Sequence, residues 1–495
     1  MPEQATPPQP LAPAVVILAA GQGTRMKSAK PKVLHEIAGR SLLAHAVAAA
    51  QQLDPRAITV VVRHDRDAVA GHALELDPGI IIADQDEVPG TGRAAQAAMA
   101  ALDGAFASAA AGQGQAEGPV VITASDVPLL DGATLAGVLE QHRASGAAVT
   151  LLSTLLDNPT GYGRVVRAAD GSVTGIVEEK DATDEQRAIK EINASIYVVD
   201  ADILRAGLAT LTKSAVTGEL YLTDIVGYAN KAGLSVNGVI IPDPLTVEGC
   251  NDKATLAKLG AELNRRLINK WMLSGVNVID PATTWVDVTV ELAPDVTLEP
   301  GVQLRGDTSV AKNATVGPDS TLTDVSVGEG ASVTRTHATG AVIGAHAEVG
   351  PFTYLRPGTV LGEKGKIGAY CETKNANIGA NSKVPHLSYA GDVTIGTGAN
   401  LGAGTIIANY DGVNKHKTKI GNEVRIGSDS IIVAPVSIGD GAYTAAGSVI
   451  TEDLPAGALG VGRAHQHNSP GWTAKRRAGT PAAQAASAAT KATTS

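Results

Sequence analysis

At 495 residues the chain exceeds what one hydrophobic core usually supports, so two or more domains are expected. Only 3% of the residues are aromatic while 55 are Gly, which suits a repetitive architecture of small and β-branched residues better than an ordinary globular core. A formal net charge of −10 argues against nucleic acid or an anionic membrane as the main ligand, which leaves the basic residues as local tools.

Residues 1–13 are rich in Pro and Gln and are expected to be disordered. The opening Met1-Pro2-Glu3-Gln4 lacks the basic start of a signal peptide, and no apolar run approaches membrane-spanning length, so a cytoplasmic protein without membrane insertion is expected. Val15-Val16-Ile17-Leu18 then reads as a buried strand running into Ala19-Ala20-Gly21-Gln22-Gly23-Thr24-Arg25-Met26, with Pro31-Lys32-Val33-Leu34 a few residues on. Glycines at 21 and 23 let the backbone close on a ligand, while Arg25 and Lys32 neutralise charge on a triphosphate. The spacing is neither a Walker loop nor a dinucleotide fingerprint. An ordinary strand-to-helix turn explains the Gly-x-Gly alone; the longer run points to nucleotide chemistry.

From Val15 to about Cys250, short apolar strands such as Ile58-Thr59-Val60-Val61-Val62 and Val120-Val121-Ile122-Thr123 alternate with Ala- and Leu-rich helical segments. This predicts a doubly wound, Rossmann-like α/β domain over 14–250. The Ala/Gly-rich stretch from about Asp103 to Gly118 reads as a surface loop. Across 251–275, Leu256, Leu259, Leu263 and Leu267 form a helical stripe, predicting a connecting helix that packs on its own chain or on a neighbouring subunit. Cys250 and Cys371 stand far apart without a CxxC, so reduced structural thiols are expected.

Beyond Gly275 the texture changes. Ile420, Ile426, Ile432 and Ile438 fall six residues apart, as do Ile395, Leu401 and Ile407, and Gly follows at 396, 402, 421, 427 and 439. A hexapeptide period predicts a parallel β-helix over 276–472, three strands to a triangular coil of about 18 residues with the aliphatic side chains inward. The hexapeptide class is usually wound left-handed and often trimerises, building ligand sites in the grooves between subunits, so a homotrimer is expected. Residues 409–417 interrupt the period with a polar, basic loop, and interruptions of a repeat mark functional loops. The Ala/Thr/Ser-rich tail, 473–495, reads as disordered, with Trp472 closing over a ligand site before order is lost.

Taken together, the order of motifs resembles the bifunctional N-acetylglucosamine-1-phosphate uridyltransferase / glucosamine-1-phosphate N-acetyltransferase family. In the first half these are Leu18-Ala19-Ala20-Gly21, Pro89-Gly90-Thr91-Gly92, Asp126-Val127-Pro128-Leu129, Gly161-Tyr162-Gly163-Arg164, Glu191-Ile192-Asn193 and Val247-Glu248-Gly249-Cys250-Asn251. In the second they are Leu355-Arg356-Pro357-Gly358, His386-Leu387-Ser388-Tyr389-Ala390-Gly391-Asp392, Gly402-Ala403-Gly404-Thr405 and Asn409-Tyr410-Asp411-Gly412.

The resemblance implies acetylation of glucosamine-1-phosphate by acetyl-CoA, then UMP transfer from UTP to N-acetylglucosamine-1-phosphate. The product, UDP-N-acetylglucosamine, is a precursor of bacterial peptidoglycan. It also implies that Leu18, Ala19, Ala20, Gly21, Gln85, Gly90, Thr91, Ala124 and Ser125 hold the nucleotide, while Arg25 and Lys32 balance its phosphates. Asp126 and Asn251 would supply oxygen ligands to Mg2+, and Gly163, Glu178, Asn193 and the Thr223-Asp224 region would line the sugar pocket. Taken alone, Asp126 also reads as a strand-end residue and Asn251 as a helix N-cap. Ser125 stands where the family often has Gly, and Ser388 where Thr is common.

For acetyl transfer the resemblance implies His386 as the base, Glu372 orienting its imidazole, and Tyr389, Asn400 and a backbone N–H near Ala403 steadying substrate and oxyanion. Arg356 and Lys374 would clamp the sugar phosphate, and Asn409, Tyr410, Ser428, Ala446 and Arg463 match acetyl-CoA positions, with Lys415 nearby. Two other readings remain: a single-activity sugar-1-phosphate nucleotidyltransferase whose β-helix regulates or assembles subunits, and a β-helix that is only an interaction scaffold.

Overall fold

The computed structural model describes residues 11–108 and 114–492, which form two compact units. One runs to Glu291 and includes Pro300–Thr308; the other comprises Leu292–Glu299 and the chain from Ser309 onward.

The first unit is built on a mixed sheet. Its strands run in the order Val236–Ile241, Val149–Leu155, Glu191–Asp200, Pro119–Ala124, Ala14–Leu18, Ala57–Val62 and Ile81–Asp84. Along this path every paired neighbour is parallel except Glu191–Asp200, which runs against both of its neighbours there; off the path it pairs antiparallel with Arg164–Arg167, itself antiparallel to Val173–Val177. The strands read as near-continuous hydrophobic runs because helices cover both faces. Along Ala14–Leu18, Val15 and Ile17 enter one apolar layer and Ala14 and Val16 the other. The expected doubly wound domain is present, with reversed strands that the apolar pattern does not reveal.

Two segments differ from their sequence reading. Helix Thr91–Ser108 extends into the stretch expected to be a loop, because Leu102 and Phe106 continue its apolar face into the core; residues 109–113 lie outside the described residues. The connecting helix, Lys253–Leu273, packs on its own chain, where Leu259 joins Ile37, Leu42, Leu129 and Cys250 in a small core. The buried Asn264 on that helix donates to Thr284 O at 2.8 Å and accepts from Val286 N at 3.0 Å, which ties the helix to the first coil of repeats.

The second unit is a left-handed parallel β-helix of hexapeptide repeats. Its strands stack in register, Lys366 on Lys383 and Lys383 on Asn400; the longer step from Asn400 to Arg425 accommodates the extruded loop. Ile343, Leu361, Ile378, Ile395, Ile420 and Ile438 pair successively, each at most 3% exposed, so identical positions bury one continuous column. Burying each such side chain contributes roughly 1.5–3 kcal/mol. The Gly that follows each of them lies against the next coil's backbone: a Cβ at Gly344 would come within 2.6 Å of Gly362 C, and one at Gly396 within 2.7 Å of Asn422 N. Gly is therefore a stacking requirement.

The segment after 472, expected to be disordered, carries helices over its described residues. Helices Trp472–Arg476 and Pro481–Ala492 form there, the second drawn from Ala, the strongest helix former. Of the segment expected to be disordered at the start, residues 1–10 lie outside the described residues, while Leu11 O accepts from Arg143 and Ala12 O from Arg56. No helix among the described residues is long and apolar enough to cross a membrane.

Candidate active sites

Leu18 and Ala124 are register partners, so the loops leaving the two central strands emerge side by side, at the point where strand order runs away in opposite directions. Open α/β sheets bind ligands at such switch points. A cavity of about 730 Å3 opens there, lined by Leu18, Ala20, Gly21, Lys32, Gln85, Gly90, Thr91, Ala124, Ser125, Asp126 and Asn193. Of the residues expected to hold the nucleotide or balance its phosphates, Ala19 and Arg25 do not line it; Ala19 is 3% exposed and packs into the apolar layer beneath the turn.

The glycines divide by cause. A Cβ at Gly21 would meet no protein atom, so any need for Gly there comes from the ligand side. Gly23 has φ +65° and a Cβ would strike Lys32 Cβ at 2.4 Å, which makes it the residue that lets the turn close over Lys32. Gly90, with φ +113°, is required by the approach of Leu220 O. Gln85 donates to Val88 O at 2.8 Å and Gly90 O at 3.3 Å, fixing this turn, and Thr91 Oγ1 accepts from Leu222 N. Ser125, the departure from the family pattern, turns its hydroxyl inward to Leu18 O at 2.8 Å and ties the two strand ends together.

Asp126 and Asn251 come from distant segments, joined where Cys250 N donates to Asp126 O at 2.7 Å. The Lys32 ammonium donates to both side chains, to Asp126 Oδ2 in a very short contact and to Asn251 Oδ1 at 2.9 Å; Arg25 donates to the same Asn251 oxygen at 2.8 Å. Two hard oxygens that share one cation are placed to share another, so the ammonium marks a point that fits Mg2+, an ion that needs few protein ligands. Among the described residues no group of three or more His, Cys, Asp or Glu is assembled for a metal, so the remaining ligands of such an ion would be water and phosphate. The N-cap reading of Asn251 falls, because the adjacent Asp252 caps the helix by accepting from Thr255 N.

Beside this point, Gly163 O accepts from Asn193 N at 2.9 Å, and a Cβ on Gly163 would come within 3.4 Å of Glu178 Oε2. Glu178 accepts from Thr223 Oγ1 at 3.2 Å; burial pushes its carboxyl pKa up, with Glu219, Asp181 and Asp224 adding to the rise. Gly163, Glu178, Asn193 and Thr223 thus form one polar cluster, and Thr223 together with Asp224 also lines a separate cavity of about 440 Å3. The main cavity is also lined by Arg63, His64, Tyr162, Ser195 and Glu219, which the sequence reading did not single out. Arg63 and His64 directly follow the strand ending at Val62, and that position at a parallel strand's carboxyl end is the signal that marks them.

The second cluster lies on the β-helix. His386 closes the strand Lys383–His386, and its backbone carbonyl accepts from Ser388 Oγ at 2.7 Å and Gly404 N at 3.0 Å. Glu372 and Tyr389 are register partners on consecutive coils. Glu372 bonds Arg356, with Nη1 to Oε1 at 3.0 Å, because Arg356 lies on the preceding coil within reach of that carboxylate. The observed partner of Glu372 is therefore Arg356. Lys374 lies against Lys415, whose ammonium holds the Lys374 pKa below the usual lysine value; with Arg356 close by, the three make a cation cluster fit for a phosphate.

The loop that breaks the repeat is internally braced. Asp411 accepts from Val413 N, Asn414 N and His416 Nε2, contacts that hold its carboxyl well below the usual range, and Tyr410 Oη donates to Gly412 O. The Asn409 amide donates to Asp392 at 2.5 Å, so it braces the base of the loop. Asn400 lies in the other ladder, in register with Lys383 and Arg425. Ala403 O accepts from Asp429 N, Ser428 O accepts from Gly447 N, and Ala446 N stands 2.5 Å from where a Gly427 Cβ would be. Arg463 comes within 3.7 Å of a Cβ position at Gly447, so Ser428, Ala446 and Arg463 gather on neighbouring coils.

Residues 15–182 match the MobA-like NTP transferase domain, and residues 417–452 match the bacterial transferase hexapeptide (six repeats). The chain is 56% identical to the bifunctional protein GlmU of Pseudarthrobacter chlorophenolicus over 96% of its length and 95% of that protein's. It is 54% identical to the GlmU of Paenarthrobacter aurescens (97% and 96% covered) and 53% identical to that of Rhodococcus opacus (97% and 95%). With an NTP transferase domain ahead of a hexapeptide β-helix and likeness along nearly its whole length, the chain belongs to the GlmU family of bifunctional enzymes, which join a uridyltransferase to an acetyltransferase.

Proposed function

We propose that the β-helix unit acetylates glucosamine-1-phosphate with acetyl-CoA, and that the first unit then transfers UMP from UTP to N-acetylglucosamine-1-phosphate, releasing pyrophosphate. The observation that carries this reading is the meeting of Asp126, Asn251, Lys32 and Arg25 at one end of a cavity that also holds Gln85 and Asn193. Uridylyl transfer needs an in-line attack of the sugar phosphate on the α-phosphorus, so positioning and charge neutralisation dominate. The Gly21 turn and Gln85 receive the nucleotide, Lys32 and Arg25 offset its phosphate charge, and Gly163, Glu178 and Asn193 bind the sugar. Enzymes of this family are generally metal dependent, and Mg2+ is the ion proposed here: held by Asp126 and Asn251, it would supply electrostatic stabilisation of the reacting phosphates.

In the second reaction His386 accepts the proton of the sugar amine as the nitrogen attacks the thioester carbonyl. The new C–N bond forms, the C–S bond breaks, and the proton passes on to the leaving thiolate. Arg356, fixed by Glu372, and Lys374 receive the sugar phosphate. Tyr389, Asn400 and the backbone near Ala403 steady acceptor and oxyanion, and Asn409, Tyr410, Ser428, Ala446 and Arg463 bind acetyl-CoA. A homotrimer is proposed because Tyr354, Ile406, Ile431 and Val449, between 37% and 46% exposed, stand in one register row with Glu372 and Tyr389. Covering that row buries apolar surface and encloses the acceptor residues. The setting proposed is the cytoplasm, at the supply of UDP-N-acetylglucosamine for peptidoglycan.

The test supplies glucosamine-1-phosphate, acetyl-CoA, UTP and Mg2+ and follows free thiol and pyrophosphate separately. Both products are expected, with pyrophosphate dependent on acetyl-CoA. Thiol without pyrophosphate would overturn the first site, and pyrophosphate only from pre-acetylated sugar would reduce the β-helix to a scaffold.

A further inference from the structure

Arg164 is the largest of the fully buried side chains, 1% exposed, and it directly follows Gly161-Tyr162-Gly163. Its guanidinium donates to Tyr162 O, to Arg187 O at 3.3 Å and to Glu179 Oε2 at 2.7 Å. The same Glu179 oxygen accepts from Gly161 N at 3.3 Å, so one ion pair grips both the start and the middle of the tripeptide. Tyr162 lines the nucleotide cavity, and Gly163 abuts Glu178 while its carbonyl accepts from Asn193 N.

A buried ion pair is weak evidence for stability, since well-packed apolar residues of similar volume often serve as well. Here the fit is not tuned for stability, because Arg164 Nε has no hydrogen-bond partner among the described residues. What the pair does fix is geometry. We infer that Arg164, through Glu179, is a positioning residue for uridylyl transfer, setting where Tyr162 and Gly163 meet the acceptor sugar-phosphate. The inference rests on the assignment of that sugar to Gly163, Glu178 and Asn193.

The test uses the full chain and steady-state uridylyl transfer by Arg164→Lys, which keeps the charge but loses the fork, and by Glu179→Asp, which keeps the carboxylate but shortens its reach. In each, KM for N-acetylglucosamine-1-phosphate is expected to rise about tenfold, the scale of losing a hydrogen bond to a charged group. KM for UTP and the acetyl-transfer rate of the same chain are expected to stay within about twofold, since neither Arg164 nor Glu179 is among the residues lining the cavity that receives the nucleotide or among those assigned to acetyl transfer. A lowered thermal midpoint with unchanged sugar KM, or an equal rise in KM for both substrates, would overturn the inference. Asn193→Ala separates it from its premise. If Asn193→Ala leaves the sugar KM unchanged, the pocket assignment fails; if Asn193→Ala raises it and both clamp variants do not, the clamp alone fails.

Discussion

Asp126 and Glu178 are carboxylates in the same unit with different surroundings, and their substitutions should part accordingly. Asp126→Asn keeps the shape but removes the charge facing Lys32, so uridylyl transfer should fall by at least about a hundredfold while acetyl transfer is unchanged, measured as pyrophosphate against thiol release. Glu178 has its pKa raised first by burial, so the native state binds its proton more tightly than the unfolded chain does. The ionised carboxylate thus weighs against folding above the raised pKa and not below the ordinary value of 4.5. Glu178→Gln is expected to raise the thermal midpoint at pH 7, with the gain shrinking as pH falls toward 4.5, while the sugar KM rises about tenfold. A midpoint that drops at pH 7 would show that the Thr223 hydrogen bond outweighs burial. Residues of this kind were legible where a motif carried them, as with Lys32, Asp126 and Asn193. Arg63, Glu219 and the partner of Glu372 were not, because nothing in a linear pattern says which side chains a fold brings within 3 Å.

The elements were legible in proportion to the strength of their period. The six-residue spacing of Ile395, Leu401 and Ile407 specifies inward-facing positions, and the Gly after Ile395 and after Leu401 follows from the close stacking of coils. Gly396→Ala places a methyl 2.7 Å from Asn422 N and is expected to cost about 1–3 kcal/mol by urea unfolding, the range for overpacking, with no change at the first unit's site. The helix Lys253–Leu273 was equally plain from its Leu stripe, but its docking was not, since it depends on one polar residue. Asn264→Leu fills the same space and strands the Thr284 carbonyl and the Val286 amide; at about 1–3 kcal/mol for each buried unsatisfied group, a loss of roughly 2–6 kcal/mol is expected. A loss below about 1 kcal/mol would mean water reaches both groups. The Ala-rich stretches near 103 and after 480 misled for the opposite reason: with little period to read, composition alone does not distinguish a helix from a loop.

At the scale of the whole molecule, each cluster of functional residues is drawn from one compact unit: Lys32, Asp126, Asn193 and Asn251 from the first, Arg356, Glu372, His386 and Lys415 from the second. His386→Ala should lower acetyl transfer by about 10²–10⁴-fold, the usual worth of a positioned base, and leave uridylyl transfer of pre-acetylated sugar intact. The paired loss in Asp126→Asn is the mirror image. Mixing the two purified variants should therefore restore UDP-N-acetylglucosamine synthesis from glucosamine-1-phosphate, with a lag that shortens as enzyme concentration rises, because the acetylated intermediate must leave one molecule and find another. Wild-type protein at the same site concentrations should show the same lag if the intermediate diffuses freely, and a shorter one only if transfer within a molecule outpaces escape. A mixture that makes thiol but never pyrophosphate would contradict the independence of the two sites, since the acetylated sugar would then be available in solution to an intact first unit and still go unused.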